Sequence, residues 1–419
     1  MHRPGLVFAC LFVTAGWSQA ASPNPDDLAI SPDIQVKSRA LVRQLGSEDF
    51  AEREDAEKQL AQLGRLARPA LNAGAASSPD PEIRFRCNQL ISRATDLDRK
   101  ARLDTFLADT KGEYEHDLPA WNQFRATVGT QWAFFGYAVV SDRALEVAAR
   151  RVFTELVSSH ANRRLMLAVD GSRVELSDLV VWRRQELYTL RYANEDGGEA
   201  RDPSLEDVTT LLFAESLVGS SYISGRRTSI SSLMSGSGFT TVARATDEKG
   251  KVYRGVAIAW LNSRNEAREM YQALSIATSL DLPEQACGLA ARMLTTPAIS
   301  PVWRTRGVSY LAANGAKKHI PLLDYAMTDA FPVYSIPRPV LNEGDPETAY
   351  TIQVRDLALS VAILLAEQKL EDYGFTDRYG GSSVSRQSYS YTRHYFPDDA
   401  TRKAAFAKWE KWRKANPLE

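Results

Sequence analysis

Cysteine and histidine, the residues that most often ligate transition metals or act as nucleophiles and bases, are scarce in this sequence. The 419 residues include three cysteines and five histidines, and no two histidines lie near each other. The chain also lacks a His-Glu-x-x-His helix, a Gly-x-Ser-x-Gly elbow, a Walker loop and a Rossmann fingerprint. We therefore predict no catalytic, cofactor-binding or metal-binding residues from local motifs, and we expect a protein that is not an enzyme.

An excess of charge of one sign is also missing. The formal net charge is −1, although 25% of the residues are charged. Without a basic excess there is no broad positive field to attract nucleic acid, so we expect no nucleic-acid partner. The hydrophobic fraction of 44% is typical of a globular protein.

Long apolar runs are absent beyond the first twenty residues. Met1 to Arg3 form a short basic start, Gly5 to Gly16 an apolar run, and Ser18 to Ala20 supply small residues. This order predicts a secretory signal peptide cut after Ala20, because the apolar run is too short to span a bilayer. Lipidation at Cys10 is a less favoured alternative, since very little apolar sequence precedes it. We expect a secreted or periplasmic protein.

Two cysteines remain after that segment, Cys87 and Cys287, and they lie far apart in the sequence. An oxidising compartment would allow them to pair. Each occupies an apolar position of a predicted helix, however, which favours two buried free thiols.

Helix signals begin after a linker at 21–32. A helix is predicted at 33–45, and Asp49 and Glu52 could form a capping box in which Asp49 accepts the Glu52 amide. Gly64 should end that second helix.

A second helix pair follows. Pro69 opens a short helix, and Asp80 caps the next one, with Pro81 at its first position. Its apolar residues recur at helical spacing and should form one buried stripe: Ile83, Cys87, Leu90 and Ala94.

The stretch 319–365 carries the most informative pattern. Ile320-Pro321-Leu322-Leu323 is apolar with a proline near its start, Asp329 follows, and Val354-Arg355 opens another helix. This arrangement, together with its copy around Asp80, resembles the HEAT repeat, a helix pair that stacks into α-solenoids.

The resemblance implies a mainly α fold, a HEAT-like solenoid of antiparallel helix pairs with irregular loops and one or two small β-hairpins. Neighbouring pairs must stack because a single pair cannot bury both of its apolar faces. In this family the arginine commonly contacts an aspartate of an adjacent turn. Asp80 or Asp329 would then serve Arg84 or Arg355.

The domain organisation predicted from these signals is a signal peptide at 1–20, a linker at 21–32, N-terminal HEAT-like helices at 33–95, a central helical region at 96–220, a Ser/Gly-rich loop with a candidate hairpin at 221–250, C-terminal HEAT-like repeats at 251–370, a Ser/Tyr-rich loop at 371–397 and a capping helix at 398–416.

The middle of the chain carries the weakest secondary-structure signals. The span 165–176 could be a hairpin around Asp170-Gly171 or a helix end and a turn, and the hairpin is slightly favoured. Ser177 is expected to cap the helix after it. A strand pair is expected around Glu248 to Gly250. The aromatic residues of the region are expected in the core: Trp121, Trp132, Phe134, Phe135 and Tyr137.

Two charged segments allow a functional and a structural interpretation. Glu113, Glu115 and Asp117 flank His116, which could suggest a metal or acid–base cluster, but such alternation is more typical of a solvated loop. The helix at 398–416 could lie on anionic lipid, but its tryptophans favour a cap that covers the last apolar face.

The resemblance specifies packing and names no ligand. We expect an exported, non-enzymatic scaffold or protein-interaction module of the cell envelope. Its contact surfaces would be the loops at 220–241, 331–350 and 373–396, whose Arg and Tyr content suits a protein, or else a glycan or another envelope component. The alternative is an exported hydrolase or lyase with a non-local site in the central helical region.

Overall fold

The fold is mainly α-helical, as the sequence predicts. The computed structural model describes residues 21–129, 131–134, 137–140, 142–192, 200–219, 230–296, 299–337, 349–380, 386 and 389–417. Within these ranges it contains seventeen α-helices and three two-stranded antiparallel sheets. The chain divides into two compact units, Met1–Leu118 and Pro119–Glu419. No described helix is both long and apolar enough to cross a membrane.

The first unit consists of four α-helices after a short 3-10 helix. The α-helices are α1 (Pro32–Gln44), α2 (Phe50–Leu63), α3 (Arg68–Ser77) and α4 (Pro81–Ala108). The predicted stripe of α4 faces the core, where Cys87 and Ala94 are buried and Ile83 and Leu90 pack against it. Gly74 of α3 permits this packing, because a Cβ atom there would lie 2.8 Å from the Cys87 sulfur.

The segment expected to be a linker is partly structured. Residues Pro25–Leu28 form a 3-10 helix, and the Asn24 side chain caps it by accepting from the Asp26 amide. The Leu28 carbonyl accepts a hydrogen bond of 2.8 Å from Arg65, which lies just after α2. This contact ties the N-terminal segment to the helices of the first unit.

The predicted caps are present, but one partner differs. Asp49 and Asp80 are the N-caps of α2 and α4. Asp49 accepts from the Ala51 amide rather than from that of Glu52, and the Glu52 carboxylate accepts from the Ser47 hydroxyl group. The expected capping box is therefore wrong in its pairing, because Ser47 lies within reach of the Glu52 side chain.

The second unit contains the remaining α-helices. They are α5 (Trp121–Thr127), α6 (Arg143–Leu156), α7 (His160–Val169), α8 (Arg173–Tyr192), α9 (Leu205–Val218), α10 (Ile230–Gly236), α11 (Phe239–Arg244), α12 (Glu248–Asn262), α13 (Ala267–Ser279), α14 (Pro283–Thr295), α15 (Pro301–Asn314), α16 (Val354–Leu365) and α17 (Asp399–Ala415). From α12 to α17, each helix packs against the next one in sequence.

Helix α9 is the centre of the second unit. Its residues from Val208 to Glu215 are all buried, and it packs against α6, α7, α8 and α12. The Glu215 carboxylate accepts a 2.7 Å hydrogen bond from the Trp260 indole, and its carbonyl accepts from Arg264 at 2.8 Å. Burial lowers the pKa of Arg264, and the adjacent carboxylates of Glu215 and Glu269 oppose that shift.

Small β-hairpins are present, but at other positions than predicted. The strands are β1 (Gln131–Phe134), β2 (Tyr137–Val140), β3 (Pro332–Pro337), β4 (Ala349–Gln353), β5 (Thr376–Asp377) and β6 (His394–Tyr395). They pair antiparallel as β1 with β2, β3 with β4 and β5 with β6. The side chains of Trp132, Phe134, Phe135 and Tyr137 lie outside the described part, whereas Trp121 is buried as predicted.

The hairpin predicted at 165–176 is wrong. That span contains the end of α7, a turn at Asp170-Gly171 and the start of α8, so Ser177 lies inside a helix and does not cap it. The Asp170 carboxylate accepts from the Ala120 amide at 2.8 Å, which fixes the turn between the two helices. A short apolar run cannot by itself distinguish a strand from a helix.

The strand pair predicted around Glu248 is also wrong, because these residues begin α12 after the N-cap Asp247. Gly250 is needed inside the helix, since a Cβ atom there would meet the Ala245 carbonyl. The predicted loop at 220–241 is wrong from Ile230 onward, where α10 and α11 form. Residues 220–229 lie outside the described part.

Cys87 and Cys287 are both buried free thiols, as predicted. Cys87 and Cys287 lie in apolar surroundings, and burial raises the pKa of each thiol to about 11. The thiolate form that attacks electrophiles or binds metals is therefore disfavoured at neutral pH.

A recurrent arginine contact connects successive helices. Arg53, Arg84 and Arg163 each lie four residues after an N-cap, and each donates to the two carbonyl groups just before that cap. Such carbonyls belong to the turn that follows the preceding helix, where few intrahelical donors remain. The expected contact from Arg84 to Asp80 is therefore wrong, because the guanidinium group binds this turn instead.

A variant of this contact occurs at the start of α15. Arg304, four residues after the N-cap Ser300, donates to the carbonyls of Ile299 and Thr296 and to the Asp329 carboxylate at 2.6 Å. Asp329 thus pairs with Arg304 and not, through its side chain, with Arg355, whose Nε donates to Gln353. The side-chain pairing of Asp329 with Arg355 predicted from the resemblance is therefore wrong, and Asp329 pairs with Arg304 of another helix instead.

We predict that Arg304→Leu lowers the free energy of unfolding by roughly 2 to 3 kcal/mol, because it removes charged hydrogen bonds to otherwise poorly paired acceptors. The matched control is Arg306→Leu, an exposed position of the same helix, which should change stability by less than about 0.5 kcal/mol. Urea denaturation of both variants provides the measurement. An equal loss in both would contradict the role of the Arg304 contact.

Candidate interaction surface

Two of the three loops predicted as contact surfaces lie side by side in the second unit. The segment 331–350 is closed by β3 and β4, and the segment 373–396 is closed by β5 and β6. Strand β4 packs against β6, which brings the two segments together. The prediction of plain loops is therefore corrected, because the ends of both segments are paired strands. Residues 338–348 lie outside the described part.

The strand register places the tyrosines of β3 and β4 on one face. Tyr334 pairs with Ile352 and Ile336 pairs with Tyr350. Since side chains alternate along a strand, these four residues share a face. The two isoleucines are buried and the two tyrosines are half-buried, so this face covers the core and continues into an aromatic edge.

Tyrosines of the second segment meet those of the hairpin. The ring centroids of Tyr350 and Tyr395 lie 4.4 Å apart, and those of Tyr334 and Tyr391 lie 6.3 Å apart in an edge-on arrangement. Such aromatic pairs add to the energy of area burial. The two segments thus form one aromatic surface, which we call the tyrosine surface.

The composition of the tyrosine surface is unusual for this chain. Segment 331–350 holds two tyrosines and segment 373–396 holds five, so together they contain seven of the sixteen tyrosines in the sequence. The tyrosines of the two segments are Tyr334, Tyr350, Tyr373, Tyr379, Tyr389, Tyr391 and Tyr395, of which Tyr373 is buried and lies beneath the surface. Tyrosine presents a large, rigid, amphipathic contact area at low entropic cost and is enriched in interaction hot spots.

The segment 373–396 is anchored to the helices below it. Arg386 donates to the carbonyls of Ala312 and Gly315 at the end of α15. The hydroxyl groups of Tyr389 and Ser360 lie 2.8 Å apart, which ties the segment to α16. These contacts hold the described part of the segment against a rigid support, so less conformational freedom would be lost on binding.

The base of the segment is closed by an ion pair and an aromatic pair. Arg393 contacts both carboxylate oxygens of Asp377, and this pairing lowers the pKa of Asp377 to about 2. The rings of Phe375 and Phe396, both buried, have centroids 4.1 Å apart. Burial lowers the pKa of His394 in β6, so this imidazole favours the neutral form.

The terminal helix α17 also contacts this region. Arg402 donates to the Asp356 carboxylate at 2.9 Å and to the Thr351 carbonyl at 2.8 Å. Trp409 is buried and packs edge-on against Tyr373. The α17 side chains thus join the start of α16, strand β4 and the base of segment 373–396.

The most exposed residues of the tyrosine surface are Tyr379 and the neighbouring Arg378. Tyr379 is 69% exposed, and the guanidinium group of the neighbouring Arg378 lies 5.7 Å from its ring centroid. Phe331, at the start of the first segment, is 50% exposed and is contacted by Arg304. Exposed aromatic and arginine side chains are the types that most often anchor protein partners.

The other sequence candidates lie elsewhere. The His116 ring is buried and contacts Asp109 at 3.2 Å, so the expectation of a solvated loop is wrong for this residue, whereas Glu113, Glu115 and Asp117 are exposed. Across the described residues, no three His, Cys, Asp or Glu side chains are grouped to hold a metal ion.

Comparison of the chain with protein-family models, with curated proteins and with solved structures gave no match.

We predict that the Tyr389–Ser360 contact couples segment 373–396 to α16. Tyr389→Phe and Ser360→Ala should each reduce stability, and the double variant should lose about 1 kcal/mol less than their sum, because a hydroxyl–hydroxyl bond is removed only once. Denaturation of the four proteins measures the coupling, and hydrogen exchange of 389–396 reports local loosening. Strictly additive losses would contradict the anchor.

Proposed function

We propose that this chain is an exported, non-enzymatic scaffold that binds a protein partner of the cell envelope through the tyrosine surface. The observation that carries the proposal is the convergence of two tyrosine-rich segments on a helical support. Aromatic area, arginine and restricted mobility are the features that let a small surface bind specifically. Rigid scaffolds with functional loops are a common arrangement.

We further propose that the helices form a HEAT-like α-solenoid. Two features support this architecture. The same arginine-to-carbonyl contact recurs at Arg53, Arg84 and Arg163, and helices α12 to α17 pack in sequence order. A repeated local contact is expected when each unit of an array packs mainly on its neighbours.

The enzyme alternative has less support in the central region. There, the buried Glu146 carboxylate is bound by Arg125 and Arg150, and the buried Glu215 carboxylate is bound by Trp260. Carboxylates that are buried and held by neighbouring side chains are poorly available to a substrate. We therefore favour binding over catalysis.

The terminal helix 398–416 is proposed to be a cap rather than a lipid-binding helix. Trp409 is buried against Tyr373, and Arg402 is buried against Asp356, so its apolar side faces its own unit. A helix that lies on lipid needs an apolar face that is free to enter the membrane.

Export is a separate part of the proposal. We expect the signal peptide to be removed in the cell, so that the mature chain begins at Ala21. N-terminal sequencing of protein from the envelope and soluble fractions checks this expectation. An intact N-terminus on protein that stays in the cytoplasmic fraction would contradict export.

Binding is tested by site-specific photo-cross-linking in cells. A photoreactive phenylalanine analogue replaces Tyr379 in the tyrosine surface, and the matched control replaces Trp182, which is 49% exposed on α8 of the same unit. We expect a discrete cross-linked protein at position 379 and none at position 182. Arg378→Ala should weaken that cross-link by roughly fivefold or more, since hot-spot truncations cost over 1 kcal/mol.

The result contradicting this proposal is equally specific. Identical cross-linked species at both positions, or none at position 379, would exclude the tyrosine surface as the binding edge. A cross-link to glycan material instead of protein would overturn the assignment of the partner class while keeping the surface.

A further inference from the structure

A buried histidine lies at the base of the tyrosine surface, and the proposed function does not use it. His394 in β6 is 7% exposed and pairs across the strands with Asp377 of β5. Its ring stacks on that of Tyr389, with an interplanar angle of 19° and centroids 6.5 Å apart. Because the Tyr389 hydroxyl group contacts Ser360 of α16, the imidazole is coupled to the contact that anchors segment 373–396.

One nitrogen of this ring has no hydrogen-bond partner. Among the described residues, no group donates to or accepts from the buried Nε2 atom of His394. A neutral imidazole has one nitrogen without a proton, and that nitrogen needs no acceptor. The protonated ring donates from both nitrogens, so Nε2 then becomes a buried, charged N–H group without an acceptor.

The charged groups around His394 do not compensate for its burial. The Asp377 carboxylate favours a protonated ring, but its two oxygens contact Arg393, whose own charge disfavours protonation. Glu371, in the 3-10 helix before β5, also favours the protonated form. Burial is nevertheless the largest effect, and it lowers the pKa of His394 below the ordinary value of 6.5.

This lowered pKa fixes the direction in which pH affects stability. The unfolded chain binds a proton at His394 more readily than the folded chain does, so the stability contributed by the neutral ring is lost as the pH falls below 6.5. Burial raises the pKa of Asp356 on α16, so protonation of that carboxyl group in acid has the opposite effect and cannot cause the loss. Asp377, with a pKa of about 2, stays ionised in mild acid.

We propose that protonation of His394 loosens segment 373–396 from α16 and thereby makes the tyrosine surface sensitive to acid. At neutral pH the uncharged ring remains buried beside Tyr389, and the segment keeps its anchor. In mild acid the ring gains a charge that is solvated only when β6 moves away from its neighbours. Release of the partner in acid rests on the proposed binding function, whereas the loosening is a property of the free chain.

Hydrogen exchange of residues 389–396 in the free, full mature chain tests the loosening. Exchange is measured at about pH 7.5 and about pH 5.5, on either side of the ordinary histidine pKa, and is corrected for the intrinsic effect of pH. We expect the corrected exchange to rise roughly fivefold or more in acid, because a buried donor without an acceptor favours local opening.

Matched histidine variants assign the effect to one residue. His394→Gln introduces a polar side chain that does not titrate, so the acid-dependent rise in exchange should disappear. His160→Gln, an exposed position at the start of α7 in the same unit, should leave the rise unchanged. NMR titration of the His394 ring in the unmodified chain is a second readout, which remains valid even when the His394 variant does not fold. Its pKa should lie below 6.5.

Three results would overturn the inference. These are equal corrected exchange at the two pH values, a rise that persists in His394→Gln, and a His394 ring whose pKa is 6.5 or higher. Failure of the binding function looks different, because the acid-dependent exchange then remains while no cross-link forms at position 379 at either pH. A cross-link of equal strength at both pH values would overturn the release of the partner in acid.

Discussion

The rest of this structure depends on one kind of hydrogen bond. In it, an arginine near the start of a helix donates to carbonyl groups of the turn just before that helix. Carbonyl groups at a helix end have no donors within the helix, and an exposed turn leaves them to water. Arg53, Arg84 and Arg163 satisfy these carbonyls in the same way, four residues after a cap. A guanidinium group suits the task because it offers several donors in one plane and stays charged.

Hydrogen bonds from arginine to backbone carbonyls also attach the tyrosine surface to the helices. Arg386 donates to carbonyls at the end of α15, as the helix arginines do for their turns. Arg402 similarly bonds the Thr351 carbonyl of β4 while its charge is paired with Asp356. The segments that are richest in tyrosine are therefore held by helix ends, so a partner would meet a pre-formed surface.

Local sequence signals predicted the helices correctly where the N-cap residue, the proline and the apolar stripe all indicate the same helix. Helix α4 begins at Pro81 after the N-cap Asp80, and its stripe through Cys87 and Ala94 faces the core. Prediction failed at Gly250 and Gly171, where glycine suggests a turn between strands. Gly250 instead allows a close approach to Ala245, and Gly171 lies between two helices. A glycine by itself does not distinguish a turn between strands from either of these helical settings.

The sequence by itself determined the helical class, the starts of the helices that carry a cap or a proline, and the two buried thiols, because caps and periodicity act over a few residues. Only the tertiary structure decided which arginine pairs with Asp329 and that β4 lies beside β6. These pairings join residues far apart in the chain, and their energies depend on burial and distance, which no local pattern encodes.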